Sequence, residues 1–256
     1  MIRAWLELAR ISNIPTVWTN VTAGWLLAGG GLAEPRLGWL LVAGSMLYTG
    51  GMILNDAADA RFDAEHRQER PIPQGRVRLG MAWAVGLGLL AVGWLLAVKG
   101  GTAHAGITAA LVSCILFYDL YHKPWIGAVW VMGLCRVLLF LMAASAEGLW
   151  SLYQTPALLL GTYIVGLTLV ARQEAKKSAV PLPSRLLAMG LLLLPAVPPV
   201  LGTVKLALKR MTMLGDFSQL APLLLPCLFL LWVFNALRVM RRGGPAIGLA
   251  VGLLLA

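Results

Sequence analysis

Along most of the chain, apolar residues come in long uninterrupted runs, with polar residues gathered in the short segments between them. Runs near the ~20 residues that a helix needs to cross a bilayer are Ile14–Leu32, Leu37–Leu54, Leu79–Val98, Gly100–Tyr118, Pro124–Ala146, Pro156–Ala171, Leu186–Val204 and Leu220–Leu237. A last run, Pro245–Ala256, has only 12 residues and reads as a ninth span cut short or a half-inserted end. Backbone inside lipid has to satisfy its own hydrogen bonds, so each run is predicted to be α-helical. The expected fold is an all-α polytopic bundle of eight to nine transmembrane helices, with residues 1–256 forming one domain. Met1–Ala9 holds Arg3 and Glu7 where a leader would have an apolar run, so no signal peptide is expected.

Composition agrees with the pattern. Apolar residues make up 59% of the chain and charged ones 12%, against roughly 25% charged in soluble domains. With the N-terminus placed in the cytoplasm and sides alternating at each span, fifteen basic residues fall on the cytoplasmic side. Only Arg36, Lys99, Lys205, Lys209 and Arg210 fall opposite, as the positive-inside rule requires. The 202–218 loop is the local exception. The formal charge of +10 therefore reads as topology and contact with anionic lipid. Basic residues scattered over many loops do not make a nucleic-acid footprint. The expected location is the membrane itself, as in a bacterial inner membrane.

Cys114, Cys135 and Cys227 lie within apolar runs and read as small buried hydrophobes. His66, His104 and His122 sit in loops or near a span end and suggest no metal spacing. The acidic residues are more telling: five of the 11 fall between Asp56 and Glu69, just where the second run ends. If that helix continues, Asn55, Asp59 and Asp63 are spaced i, i+4, i+8 and share one face within roughly 80° of arc, with Asp56 at its edge. Like charges at this spacing repel. Either Mg²⁺ offsets the repulsion, because it takes one or two carboxylates and shares substrate phosphates, or the acids are solvated and pair with Arg61, Arg67 and Arg70.

Asn55-x3-Asp59-x3-Asp63 followed by Arg70-Pro71-Ile72-Pro73-x-Gly75-Arg76 resembles the first aspartate-rich motif of the UbiA superfamily of membrane prenyltransferases. Arg10 and Asn13 resemble the Arg-x2-Asn pair before that family's first span, and Tyr118 and Lys123 its tyrosine–lysine stretch after the fourth. The resemblance implies a nine-helix bundle with a cytoplasmic cap over the active site. It implies Mg²⁺ at Asn55, Asp56, Asp59 and Asp63, a polyprenyl diphosphate donor and an acceptor that the sequence does not name. In the same reading Asp59, Asp63, Lys123 and Tyr118 serve catalysis. Arg10, Asn13, Asn55, Arg67, Arg70, Arg136, Glu174 and Lys176 bind substrate.

One segment departs from the family. Its second motif, usually Asp-x3-Asp, here reads Arg172-Gln173-Glu174-Ala175-Lys176-Lys177, with Glu174 the only carboxylate. A second metal site, or the ordinary transferase chemistry itself, is thereby put in question. Positions 59, 63, 118, 123, 172 and 174 follow the second, fourth and sixth spans, so the topology predicts that they emerge on one side. Arg136 is the only charged residue deep in a predicted span and should face the bundle interior. It either binds the acceptor or ties helix-end carbonyls. Tyr48, Tyr118 and Tyr121 line a pocket or form an interfacial belt. A transporter would carry ionisable residues near mid-membrane; a non-catalytic membrane protein of the same fold is the remaining alternative.

Overall fold

The computed structural model describes residues 2–121, 125, 127–148, 150–175, 182–202, 204–205 and 224–240. The described chain is all-helical, in ten α-helices: α1 Ile2–Leu8, α2 Ile14–Leu27, α3 Pro35–Ala58, α4 Ala60–His66, α5 Leu79–Leu95, α6 Ala105–Tyr121, α7 Ala128–Ser145, α8 Gln154–Ala175, α9 Leu182–Leu193 and α10 Leu224–Met240. Among the described residues, four segments are long and apolar enough to cross a membrane: Pro35–Ala58, Leu79–Gly100, Ala128–Ser145 and Ser151–Ala171. Ala105–Tyr121, Leu186–Gly202 and Pro226–Ala236 are shorter apolar helices. The predicted 12-residue end, Pro245–Ala256, lies outside the described residues, as does most of the 202–218 loop.

Helix ends depart from the apolar runs where the backbone chemistry changes. The first run was expected to reach Leu32, but α2 stops at Leu27 and Gly29 turns the chain at φ 98°. The fourth was expected to open at Gly100. Instead α5 finishes in a π-turn over Leu96–Gly100, Thr102 takes φ 58°, and α6 opens at Ala105 and runs on to Tyr121.

Contacts group the chain into two compact units, Met1–Ala157 and Leu158–Ala256. In the first, α3 lies at the centre. It packs against α5, α2 and α6, while α7 packs against both α2 and α6. Their inward side chains form one core of Val17, Val21, Trp25, Leu40, Leu47, Leu54, Leu90, Leu111 and Met142. The α3–α5 contact depends on glycine: a Cβ at Gly50 would stand 2.9 Å from the Gly86 carbonyl oxygen, closer than side chains normally approach. Outward faces carry large apolar side chains such as Trp39, Leu87, Val92, Leu95 and Trp130, which suit lipid contact. At one end Arg36 clasps Glu34 (2.5 Å) and Glu147 (2.8 Å), joining the α2–α3 loop to the segment after α7. The second unit has its own core, with Leu167, Val170, Ala188, Leu192, Val233 and Ala236 drawn from α8, α9 and α10.

Candidate functional site

The site grows out of the last turn of α3. Asp59 interrupts the helix by a single residue, yet the hydrogen-bond register carries on. The amides of Asp59, Asp63 and Arg67 donate to the carbonyls of Asn55, Asp59 and Asp63 at 3.0, 2.9 and 2.8 Å. The predicted face is therefore kept across the α3–α4 junction. Asn55, Asp56, Asp59 and Asp63 are all buried, Asp63 to 1% exposure, whereas Glu65 and Glu69 of the same segment are exposed. A solvated acidic helix end would show no such division between its carboxylates. Burial raises the Asp63 carboxyl above the usual aspartate range, and nearby Asp59 and Asp56 add to this, while Arg70 and Arg67 oppose it.

Arg70 is delivered by a compact turn. Gln74 N donates to Arg70 O and Gly75 N to Ile72 O, with Gly75 at φ 71°. Ile72 and Val77 dock into a small core with Ala4, Leu8, Ile53 and Ala57, which fixes the turn against α1 and α3. The Arg70 guanidinium reaches Asp56 Oδ1 at 2.5 Å and Asp63 Oδ2 at 3.7 Å. Arg10, with φ 44° at the break between α1 and α2, reaches the same Asp56 oxygen at 3.1 Å. Asp56 thus binds two guanidiniums, and the Arg-Pro-Ile-Pro run serves to hold one of them in place. Arg76 pairs with Glu7 instead, at 3.2 Å.

Next to the acidic column lies a largely apolar cavity of about 80 Å³ between α3, α6 and α7. Its few polar lining groups are Tyr48, Tyr118, Asp119 and Arg136, set among Leu47, Met52, Ile115, Met132 and Leu139. Asn55 Nδ2 donates to Asp119 Oδ1 at 3.2 Å, both side chains being buried. That bond links the acidic column to the cavity. Sequence reasoning had missed Asp119, because the fourth apolar run was expected to end at Tyr118; three further residues of helix bring the carboxylate inside. Arg136 donates from Nη1 to Thr16 O at 3.4 Å and from Nη2 to Thr16 Oγ1 at 3.1 Å. It faces the interior as expected, and its partners lie on α2. The Tyr48 hydroxyl donates to Arg10 O at 3.5 Å, which ties α3 to the break between α1 and α2.

Of the remaining sequence-predicted residues, Lys123 and Lys176 lie outside the described residues. Glu174 sits in the last turn of α8, in the second unit. Tyr121 is exposed and stacks at a tilt against Phe117, 5.2 Å away.

The model of the UbiA prenyltransferase family matches residues 16–247. The chain belongs to this family. Among curated proteins it resembles digeranylgeranylglyceryl phosphate synthases, for example that of Methanopyrus kandleri (38% identical over 135 residues, 51% of this chain and 48% of that one). The enzyme of that name from Sulfolobus acidocaldarius is 29% identical over 118 residues, 46% of this chain and 42% of its own. A 4-hydroxybenzoate octaprenyltransferase of Cupriavidus necator is 33% identical over 110 residues, covering 40% and 38%. The matched stretches thus span about half or less of these relatives. A solved structure concerning digeranylgeranylglyceryl phosphate synthase in membranes has the same fold. Its TM-score is 0.66 at 18% identity, over 99% of this chain and 92% of that one. With its apolar helices, this UbiA family chain is an integral membrane protein.

Proposed function

We propose that this chain is an intramembrane prenyltransferase that moves an isoprenyl group from a polyprenyl diphosphate to an acceptor with the help of Mg²⁺. The observation that carries the reading is the buried column Asn55–Asp59–Asp63 opening beside an apolar cavity. Amphiphile sites commonly join a few convergent polar groups to apolar walls.

The residues fit a hard cation. Asp63 Oδ1 is fully buried and has no hydrogen-bond partner among the described residues, an arrangement that costs free energy unless a ligand completes it. Among those residues no three His, Cys, Asp or Glu side chains enclose an ion by themselves. Mg²⁺ tolerates this, since it keeps waters and shares substrate phosphates. Asn55, Asp59 and Asp63 would hold it, with Asp56 kept alongside by Arg10 and Arg70. When bound, Mg²⁺ supplies neutralising charge to a diphosphate leaving group.

The chain's own residues do the rest. Arg70 and Arg67 present guanidiniums to the phosphate oxygens, with Lys123 and Lys176 as further cations. Tyr118 and the apolar lining keep water from the allylic carbon as its C–O bond ionises. In this reading the N-terminus and the acidic column face the cytoplasm of a bacterial cell. Glu174 alone stands for the second motif, so one tightly held ion is expected.

The test is incubation of the purified protein with Mg²⁺ and a ladder of prenyl diphosphates, followed by mass spectrometry of the lipid extract. The substrates for which the relatives are named, 4-hydroxybenzoate and a glyceryl phosphate, are the first acceptors to try. A prenylated product that disappears in Asp59→Ala supports the reading; turnover that persists in Asp59→Ala without Mg²⁺ refutes it.

A further inference from the structure

Asp119 stands outside both aspartate-rich segments, yet it is built into the same corner of the molecule. It sits in the last turn of α6, is 4% exposed, and lines the apolar cavity. Burying a carboxylate is costly, and a position kept at that cost invites a reason. The bond that ties it to the acidic column is the one from Asn55 Nδ2 to its Oδ1, 3.2 Å long.

That bond has a direction. An ionised carboxylate only accepts, so the nitrogen end of the Asn55 amide can make it and the oxygen end cannot. The two ends of an amide have nearly the same shape, and hydrogen-bonding partners decide which way it points. With Nδ2 held towards α6, Oδ1 is turned away from Asp119. Both side chains are buried, and α3 packs against α6, so water does not compete for the amide. Asn55 opens the column whose helical register runs on through Asp59 and Asp63. Further along that column, Asp63 Oδ1 is buried with no hydrogen-bond partner among the described residues, which marks the place of a ligand. A carbonyl oxygen suits a hard cation. A reversed amide would present N–H groups to it and repel it.

We infer that Asp119 is a positioning residue for the divalent cation: it holds the Asn55 amide in the one orientation that offers its oxygen to the metal. The inference rests on the transferase reading given above and adds to it a residue of α6 that belongs to neither aspartate-rich segment. Asp119 does not itself touch the cation; it acts through Asn55. Groups that orient a metal ligand in this way matter nearly as much as the ligand, and losing one typically weakens affinity about 10–100-fold. The demand is greater in this chain because Glu174 is the only carboxylate of the second segment. The first column then carries most of the cation's binding, and Asn55 is its one neutral member.

The test uses the whole protein in detergent, titrated with Mg²⁺ at fixed pyrophosphate, with the unfolding temperature read at each concentration. Wild type, Asp119→Asn, Asn55→Ala and the double variant form a cycle. Asp119→Asn keeps the side chain's shape but accepts either end of the Asn55 amide, and weakens the apparent Mg²⁺ affinity about tenfold. In the Asn55→Ala background the same change costs less than about twofold, because the residue it acts through is gone. Exchanging the pair, Asn55→Asp with Asp119→Asn, reverses donor and acceptor, keeps the bond and leaves an oxygen for the cation, so most of the affinity returns. An Asp119→Asn variant that unfolds earlier but binds Mg²⁺ as wild type does would make the bond a structural tie only and overturn the inference. Equal losses in both backgrounds overturn it as well, since Asp119 would then act by its charge and not through Asn55. Where a single variant does not fold or binds too weakly to read, the exchanged pair decides: recovered affinity supports the inference, and lost affinity overturns it. Wild type that ignores Mg²⁺ and pyrophosphate counts against the transferase reading itself and takes the inference with it, whereas the other failures leave that reading standing.

Discussion

Asp56 is the residue where latch and ligand make opposite predictions. Its carboxylate is 6% exposed, and one oxygen, Oδ1, receives Arg10 Nη2 at 3.1 Å and Arg70 Nη1 at 2.5 Å. These bonds join the α1–α2 break, the end of α3 and the turn after α4. Asp56→Ala removes both. Breaking a fully buried pair by deleting one partner costs about 3–5 kcal/mol. Here the stranded guanidiniums are 37% and 24% exposed, so water recovers part of that loss, and about 2–3 kcal/mol is the working figure. For a chain of this size each kcal/mol moves the unfolding temperature by roughly 2–4 °C, which gives a drop of about 4–12 °C. Asp56→Asn keeps an acceptor oxygen and should lose about half as much. Tryptophan fluorescence during heating in detergent reads both variants. The same samples, titrated with Mg²⁺ and pyrophosphate, separate the roles. As a latch, Asp56→Ala still gains stability from the pair of ions, with weaker affinity. As a direct ligand, it loses the gain altogether, as Asp59→Ala should. An unfolding temperature within about 1 °C of wild type would refute the latch, because no buried doubly bonded carboxylate can be deleted at so small a cost.

The other predictions are briefer. Asp59→Ala and Asp63→Ala should each abolish the stabilisation by Mg²⁺ and pyrophosphate, which at a hundredfold excess over Kd is worth about 2.7 kcal/mol; a wild-type response in either variant would remove it from the metal set. Burial raises the Asp63 pKa in the folded state, so its contribution to ion-free stability is full below the unfolded-state pKa and is lost as pH rises through the folded-state value. Ion-free wild type should therefore lose stability relative to Asp63→Asn as pH rises through the acid range. Heat-unfolding curves at a series of pH values check the sign, and a difference that is flat with pH would contradict it. Gly75→Ala forces a side chain into φ 71° and should cost about 1–2 kcal/mol, with weaker pyrophosphate binding because Arg70 loses its seat; unaltered unfolding and binding would show that the turn does not hold Arg70. Single cysteines at Gln68 and Ser178, in a chain lacking its native three, should label from the same side of the membrane. Labelling from opposite sides would separate Glu174 from the acidic column.

How much of this was legible in the sequence depends on how far apart the interacting residues are. Asn55, Asp59 and Asp63 obey a helical period, so their common face could be read from spacing, and the one-residue break at Asp59 does not disturb it. Arg70 and Gly75 could be read because a turn is local: the Pro-Ile-Pro run and a glycine in the left-handed region fix its shape within six residues. The long-range partners could not. Nothing in Arg10 or Asp56 alone says that they meet across 46 positions, and the same holds for Arg136 and Thr16 across 120. Those meetings follow from which helices pack together, and packing is decided by close approaches such as Gly50 on Gly86, which a hydropathy pattern does not encode.

Asp119 shows the physical reason most clearly. An apolar run ends, in the sequence, at its first charged residue, so the pattern places the aspartate after Tyr118 outside the fourth span. In the folded chain the helix continues to Tyr121, and the amide of Asn55, 64 positions earlier, donates to the carboxylate. A buried carboxylate is tolerated where a donor has already been placed for it. Two helices that each end in a polar residue can therefore share one buried hydrogen bond and lengthen each other's effective span. The consequence reaches the site: the bond from Nδ2 to Asp119 fixes which way the Asn55 amide is turned, and its carbonyl oxygen is a fitting group for a hard cation.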